Sequence, residues 1–242
     1  MKAMETTERS RISQLLGTMA NVQGHEIKAV VGSFLFVVLL MSAYYILRPV
    51  RDAMASDWSD AEVSWLWTLN FFISTAVVAL YGALVARFPL RLLVPTTYGI
   101  FALTFLIFYA LALTINDRTL IDKSFYVWVS VFSLFHISVF WTFMSELFTK
   151  EQAGRLFGII AAGASVGGLI GPFIPSFFSA YLGTDTLLLL ASALLLLPIP
   201  LILYLQTLKA SDLGNEAPAA KPIPSRIGGN PFAGVTLFIS NP

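Results

Sequence analysis

Two tyrosines and two arginines at the end of an apolar run are the residues of this sequence best suited to bind an anion. Tyr44, Tyr45, Arg48 and Arg51 close the first long uncharged stretch. The two arginines are one helical turn apart, so they share a face if the helix continues through Pro49. Guanidiniums that face a cavity can bind a phosphate or carboxylate, and the rings beneath them could stack on a base. Alternatively, the arginines reach lipid headgroups and the tyrosines belong to an interfacial aromatic belt.

Two further ionisable residues are candidates for coupling and gating. His136 lies in the middle of an apolar run, where its charge would change near neutral pH. It is either a proton-coupling group or a neutral histidine that hydrogen-bonds Ser133 or a neighbouring helix. Glu146 ends the same run and precedes Lys150 and Arg155. It is either a gate that pairs with a base such as Arg155 in one state, or part of a solvated loop.

The composition indicates a membrane protein. Of the 242 residues, 57% are hydrophobic and 12% are charged, and the mean hydropathy is +0.77. A soluble domain carries about 25% charged residues, so this chain has too few to cover a surface in water. The net charge of +1 argues against nucleic-acid binding. With no cysteine and two histidines, the sequence predicts neither disulfides nor a metal site, and we expect no cofactor.

Six uncharged runs are long enough to span a bilayer as helices, which predicts an all-α polytopic fold. The runs are 29–47, 63–86, 92–116, 124–145, 156–184 and 186–208. The fifth contains Pro172 and Pro175, and we expect a kink there or a turn near 182–184. No alternating pattern typical of an outer-membrane barrel is present. We therefore predict a six-helix transmembrane domain over residues 27–208.

The flanking segments predict the orientation. Residues 1–26 form a polar tail, and 209–242 a proline- and glycine-rich linker whose apolar end, 232–239, resembles the start of a missing second half or a short tail. With the amino end inside, eleven lysines and arginines lie on the inner side and four on the outer side. The positive-inside rule then places both termini in the cytoplasm, and we expect the plasma (inner) membrane.

Small residues mark one face of the fifth run. Gly163, Gly167 and Gly171 recur every four residues, with Pro172 alongside, which predicts close packing against another helix. The same stretch reads Gly-x-Ser-x-Gly around Ser165. A remote alternative is therefore an intramembrane serine hydrolase with His136 as its base. No strand precedes the serine, as the strand–turn–helix form of that motif requires.

Residues 82–91 resemble the signature loop of the major facilitator superfamily, Gly-x-Leu-x-Asp-Arg-x-Gly-x-Arg. The matching residues are Gly82, Leu84, Arg87 and Arg91. Ala86 stands at the acidic position and Pro89 at the second glycine. By this resemblance, Gly82, Arg87 and Arg91 form a cytoplasmic gate loop. Residues 163–172 also resemble, loosely, the Gly/Pro-rich fifth helix of antiporters in this superfamily.

The first run ends in a motif that is similar to one in the nucleotide translocases, the ATP/ADP antiporters of plastids and intracellular bacteria. Their first helix reads approximately Tyr-x-Ile-Leu-Arg-x-x-Lys-Asp, and Arg51 stands at the lysine position. Glu146, Ala153-x-Arg155-x-Phe157 and the pair at 163–164 agree with the same family. The resemblance implies that Arg51 and Glu146 take part in nucleotide transport.

These resemblances imply half of a twelve-helix fold, built from two three-helix repeats, that moves an organic anion such as a nucleotide by alternating access. The chain has no P-loop, so ATP hydrolysis is not the expected energy source. The implied partners are the lipid bilayer, a small anion and a second six-helix half. That half could be a missing continuation, a second chain or a second copy. The alternative is a truncated half or a membrane scaffold without transport activity.

Overall fold

The computed structural model describes residues 22–214, apart from the side chains of 178–182 and 184–185. The helices are α1 (Ile27–Met54), α2 (Asp60–Val85), α3 (Leu90–Thr114), α4 (Thr119–Leu147), α5 (Lys150–Leu196) and α6 (Pro198–Ser211). No strand occurs between residues 22 and 214. The predicted tail before residue 22 and most of the predicted linker, from residue 215 with its apolar end 232–239, lie outside the described residues.

Six spans result because α5 is interrupted. Gly183 has φ 74° and ψ 161°, a left-handed conformation that glycine adopts without steric cost. The helix runs through Pro172 and Pro175 and breaks at this glycine, so the predicted turn near 182–184 is confirmed. We call the parts on either side span 5 (Lys150–Phe177) and span 6 (Thr186–Ser211). Together with α1 to α4 they confirm an all-α protein with six membrane-length helices.

Local capping explains where two helices begin. Ser59 accepts a hydrogen bond from the Glu62 N–H, and the Glu62 carboxylate accepts one from the Ser59 N–H. Thr149 and Gln152 form the same reciprocal pair before span 5. Such capping boxes satisfy amide groups that the first turn leaves without partners. Because the connections between α1 and span 5 are short, successive helices run antiparallel across the bundle.

The bundle therefore has two ends, which we name by α1. The near end holds the start of α1 and the ends of α4 and span 6. The far end holds the end of α1 and the start of α4. Helix α1 continues through Pro49 to Met54, so Arg48 and Arg51 lie one turn apart at the far end of one helix.

Glycines bring α1 and span 5 into close contact. A Cβ atom added at Gly167 would lie 2.5 Å from the carbonyl oxygen of Val38, and one at Gly171 would lie 2.5 Å from the Cβ of Tyr45. Gly163 also lies against α1. Pro172 lies beside these glycines and is half-buried. Because glycine has no side chain, the two backbones approach closely, and dispersion contacts then hold the helices together in lipid.

Several pairs of helices pack against each other. Helix α5 packs on α1, α2 packs on α4, and α3 packs on both α5 and α6, where the Gln206 amide donates to the carbonyl oxygen of Arg91. Helix α2 is the least covered, since only Leu66 and Ser74 of its residues are buried.

Candidate functional site

Arg51 is fixed against α4 at the far end. Its side chain is only 17% exposed. Nη2 and Nε donate to Oδ1 of Asp52 at 2.7 and 2.9 Å, and Nη1 donates to the Ser130 hydroxyl at 3.4 Å. The guanidinium carbon lies 5.3 Å from the ring centre of Tyr126, in cation–π contact. The cation is thus held by groups on two helices.

Arg48 lies one turn earlier and is more open. Its side chain is 49% exposed, and its Nε lies 3.8 Å from Oδ2 of Asp52. The two guanidiniums therefore converge on the two oxygens of one carboxylate. The structure brings the predicted arginine pair together, and Asp52 lies between them.

The two tyrosines face different helices. The Tyr44 ring stacks on the imidazole of His136 in α4, with centroids 4.6 Å apart and an interplanar angle of 23°. The Tyr45 ring lies against Gly168 of span 5, where an added Cβ would approach it to 3.3 Å. The two tyrosine rings meet edge to face, with centroids 5.2 Å apart and an interplanar angle of 63°, and Tyr44 is the one of the two whose ring stacks on α4.

His136 is buried in the middle of α4. Its Nδ1 lies 3.1 Å from the carbonyl oxygen of Phe132, so Nδ1 carries the proton when this hydrogen bond forms. The Ser133 hydroxyl donates to the carbonyl of Ser130 and is not the partner of the ring. The ring thus contacts the backbone of its own helix on one side and the Tyr44 ring on the other.

These contacts define a polar seam between the facing sides of α1 and α4. We call it the α1–α4 seam, and its members are Tyr44, Arg51, Tyr126, Ser130 and His136, with Arg48 beside it on α1. It runs from the far end to the middle of the bundle. Asp52, Tyr126 and Ser130 were not among the predicted site residues. The sequence spacing could have identified Ser130, because Ser130, Ser133 and His136 recur every three residues and so lie on one face of α4.

Glu146 lies at the opposite end and has a different partner from the one suggested by sequence. Lys209 Nζ donates to its carboxylate at 3.4 Å. Arg155, the expected partner, binds Glu26 instead through two hydrogen bonds of 2.7 and 3.2 Å. Sixteen residues of helix separate Glu146 from Ser130, about 24 Å at 1.5 Å per residue. The structure therefore does not bring Glu146 to the arginine pair.

The Glu26–Arg155 pair joins the start of α1 to span 5. Glu26 is 1% exposed, and the N–H of Gln23 also donates to it. Burial raises the pKa of Glu26, but the hydrogen bonds from Arg155 and Gln23 outweigh it, so the pKa lies below its usual value of 4.5. The carboxylate is therefore charged in the folded protein at neutral pH.

This pair predicts an acid-side loss of stability. A depressed pKa contributes stability that is present above pH 4.5 and lost as the pH falls through the lower folded value. We expect Glu26→Gln to cost about 1.5–3 kcal/mol near neutral pH, the usual worth of a hydrogen bond to a charged group. The melting temperature of Glu26→Gln, measured in detergent between pH 7 and 3, should fall less steeply on acidification than the melting temperature of the wild type. Asp57→Asn, at an exposed carboxylate that accepts from the Ser56 hydroxyl, should follow the wild-type curve. Parallel curves for Glu26→Gln and the wild type would contradict this assignment.

The predicted gate loop lies at the near end beside a cavity of about 990 Å³. Asn70, Ser74, Gly82 and Arg87 contribute to its lining, all from one side of α2 and the start of the loop. Arg91 is exposed at the start of α3, where its carbonyl binds Gln206. Gly82 has open space where a Cβ would point. The loop therefore borders a cavity along the open side of α2.

The alternative of an intramembrane serine hydrolase gains no support from the geometry. Ser165 is exposed, and it lies two residues from Gly163 and Gly167, which places it on the opposite side of span 5 from α1. His136 contacts Tyr44 and its own helix, so within the described residues no serine–histidine pair forms. No cluster of three metal-ligating side chains occurs between residues 22 and 214.

The fold and the seam define a class: an integral membrane protein of six spans with a charged, partly aromatic seam inside the bundle. Its family follows from comparison with known proteins. The family model of the Major Facilitator Superfamily matches residues 33–242, and the chain belongs to this superfamily of membrane transporters. Neither a search of curated proteins nor one of solved structures returned a significant match. A lipid bilayer and a small-molecule substrate follow from membership in the superfamily.

Proposed function

We propose that this protein carries an organic anion, bound at the α1–α4 seam, by alternating access. The observation that carries the proposal is the placement of Arg51, a cation held mostly out of solvent by Ser130 and Tyr126 with Arg48 one turn away. Charged side chains within membrane spans are costly and usually face a cavity or a functional path. Two guanidiniums on one face match the two oxygens of a carboxylate or phosphate.

The aromatic pair near the arginines favours a nucleotide over a purely aliphatic anion as the proposed substrate. Tyr44 and His136 form a stacked aromatic pair below the arginines, on the same side of α1 as Arg51. A phosphate bound by Arg48 and Arg51 would leave the rest of the molecule within reach of these rings. The similarity of the first-helix motif to the nucleotide translocases supports the same substrate class, and it favours exchange of ATP for ADP.

The near end supplies the groups for a gate. Glu146 pairs with Lys209, and Arg87 and Arg91 are exposed at the loop between α2 and α3. In this proposal the near end faces the cytoplasm of a plasma (inner) membrane, as the distribution of basic residues favours. The thinly covered α2 meets a second six-helix half, which is a continuation of the chain, a second chain or a second copy. Rocking of the two halves then exposes the seam to each side in turn.

The direct test is transport by the purified protein in proteoliposomes. Labelled ATP should enter vesicles preloaded with ADP and show saturation, whereas empty liposomes should not accumulate it. Labelled citrate, an anion without a ring, tests the role of the aromatic pair and should be taken up more slowly. If neither compound enters by a saturable route, the transport proposal fails, and a membrane scaffold with its uncovered α2 as a docking face becomes the better account.

We further propose that His136 couples transport to a proton gradient. Its titratable neighbours are Tyr44, stacked on the ring, and Tyr98, whose hydroxyl donates to the His136 carbonyl oxygen at 2.8 Å. His136→Phe retains a ring against Tyr44 but removes both nitrogens. We expect it to reduce gradient-driven accumulation of ATP at least tenfold while ATP/ADP exchange without a gradient persists.

A matched control for this change is Tyr98→Phe. It removes a hydrogen bond at the same level of α4 without removing the imidazole. Accumulation driven by the gradient should be retained in this variant. Equal gradient dependence in His136→Phe and the wild type would exclude His136 as the coupling group.

A further inference from the structure

The arginine pair of the seam already holds an anion, namely the side chain of Asp52. Oδ1 accepts from Nη2 and Nε of Arg51 at 2.7 and 2.9 Å, and Oδ2 lies 3.8 Å from Nε of Arg48. The contact is local, because Asp52 follows Arg51 directly and lies one turn after Arg48. One carboxylate therefore covers the positions that an anionic ligand would take.

We propose that Asp52 is a tethered counter-anion that selects for multiply charged ligands. The inference rests on the proposed function and deepens it, since it names the charge class of the substrate. An anion that binds the arginines must first displace Asp52. A monocarboxylate offers the same charge as Asp52 but lacks the tether, whereas a di- or triphosphate offers more charge and more oxygens.

The exposure of the groups supports displacement. Asp52 is 51% exposed, and Arg48 is 49% exposed, so both can exchange partners with little rearrangement. An ion pair as open as that of Arg48 and Asp52 is weak, and its loss changes an equilibrium by up to about fivefold. The Arg51–Asp52 pair, in which Arg51 is 17% exposed, is the stronger contact that a ligand must replace. Arg51 stays in place when Asp52 leaves, because Ser130 and Tyr126 also hold it.

The tether explains the selection. A group joined to its partner by one or a few residues acts at an effective concentration in the millimolar range or above. A free monovalent anion must exceed that concentration to compete. A polyanion binds both guanidiniums through several oxygens and can displace Asp52 at lower concentration.

Two other carboxylates at the far end have other partners. Glu62 binds Lys123 and Ser59, and Asp57 contacts the Ser56 hydroxyl. Asp52 is the carboxylate that forms ion pairs with both Arg48 and Arg51. Asp57 provides a matched control, because Asp57→Asn removes one negative charge at the same end without touching the pair.

The test measures the accessibility of the arginines in the purified full chain. Phenylglyoxal, which modifies guanidine groups, is applied to the wild type, Asp52→Asn, Asp52→Glu and Asp57→Asn, and the modified residues are quantified by mass spectrometry. We expect Arg48 and Arg51 to react at least threefold faster in Asp52→Asn than in the other three proteins. Matching melting temperatures of the two asparagine variants control for unfolding. Equal rates in Asp52→Asn and Asp57→Asn would overturn the proposal.

Protection by two probes tests the selection at constant ionic strength. In the wild type, 1 mM ATP should slow modification at least threefold and 1 mM acetate should not, whereas at higher concentrations acetate should protect Asp52→Asn more than the wild type. Equal protection of the wild type by both probes overturns the selection alone and leaves anion binding intact. Faster modification of Asp52→Asn without protection by ATP in any protein overturns both the selection and the proposed anion transport.

Discussion

Arg51→Gln is expected to reduce saturable ATP uptake into proteoliposomes by about tenfold to a hundredfold. The reason is the loss of a hydrogen-bonding cation in a partly buried site, where such bonds are worth about 1.5–3 kcal/mol and each 1.4 kcal/mol is a factor of ten. Arg51→Lys should retain part of the activity. A lysine keeps the charge but cannot bind two oxygens in parallel or lie flat on the Tyr126 ring. Initial rates over a range of ATP concentrations measure the effect.

Arg118→Gln is the control for a general loss of positive charge at the far end. Arg118 precedes α4 and donates to the carbonyl oxygen of Ala112, outside the seam. Its replacement should leave the concentration for half-maximal uptake within about twofold of the wild-type value. If both variants weaken uptake equally, the effect is the overall field of the far end, and the specific role of Arg51 is refuted.

Gly167→Ala is expected to destabilise the fold by about 1–3 kcal/mol or more, the usual range for overpacking. The added Cβ would lie 2.5 Å from the Val38 carbonyl oxygen and 2.8 Å from the Cβ of Met41. These are backbone and near-backbone atoms, so no side-chain rotation can relieve the contact, and α1 must move away from span 5. A lower melting temperature in detergent and a smaller folded fraction in size-exclusion chromatography would show the loss.

Gly158→Ala on the same helix provides the opposite expectation. Nothing lies within 4 Å of a Cβ added there. Alanine in a helix interior is favoured over glycine by about 0.8–1.0 kcal/mol, so this variant should melt at the same or a higher temperature. If Gly167→Ala is as stable as Gly158→Ala, then the close approach of α1 and span 5 does not hold the bundle together.

Hydropathy alone was sufficient to predict the spans, because length and apolarity are what a bilayer demands of a helix. Each predicted run lies within or closely overlaps a helix of the structure, and the break at Gly183 falls inside the predicted turn. The ends were less predictable. Helix α1 extends to Met54 beyond Arg48 and Arg51, because charged residues at an interface continue a helix as readily as apolar ones.

The site was predictable only where it is local. The shared face of Arg48 and Arg51 follows from helical spacing, and their nearness is confirmed. The pairing of Arg155 with Glu26, 129 residues earlier, was not predictable, because it depends on which helices pack together. The stacking of Tyr44 on His136 depends in the same way on the rotation of α1 against α4. For the same reason the sequence did not show that Tyr45, adjacent to Tyr44, lies against Gly168 of span 5.

The ion pairs at the near end join residues that are synthesised far apart in time. Lys28 binds Asp212 at 2.9 Å, although 184 residues separate them. Glu26 likewise forms its ion pair only after Arg155 has been synthesised. The start of α1 therefore enters the membrane before either of these partners has been synthesised, so its insertion depends on the apolarity of its own span.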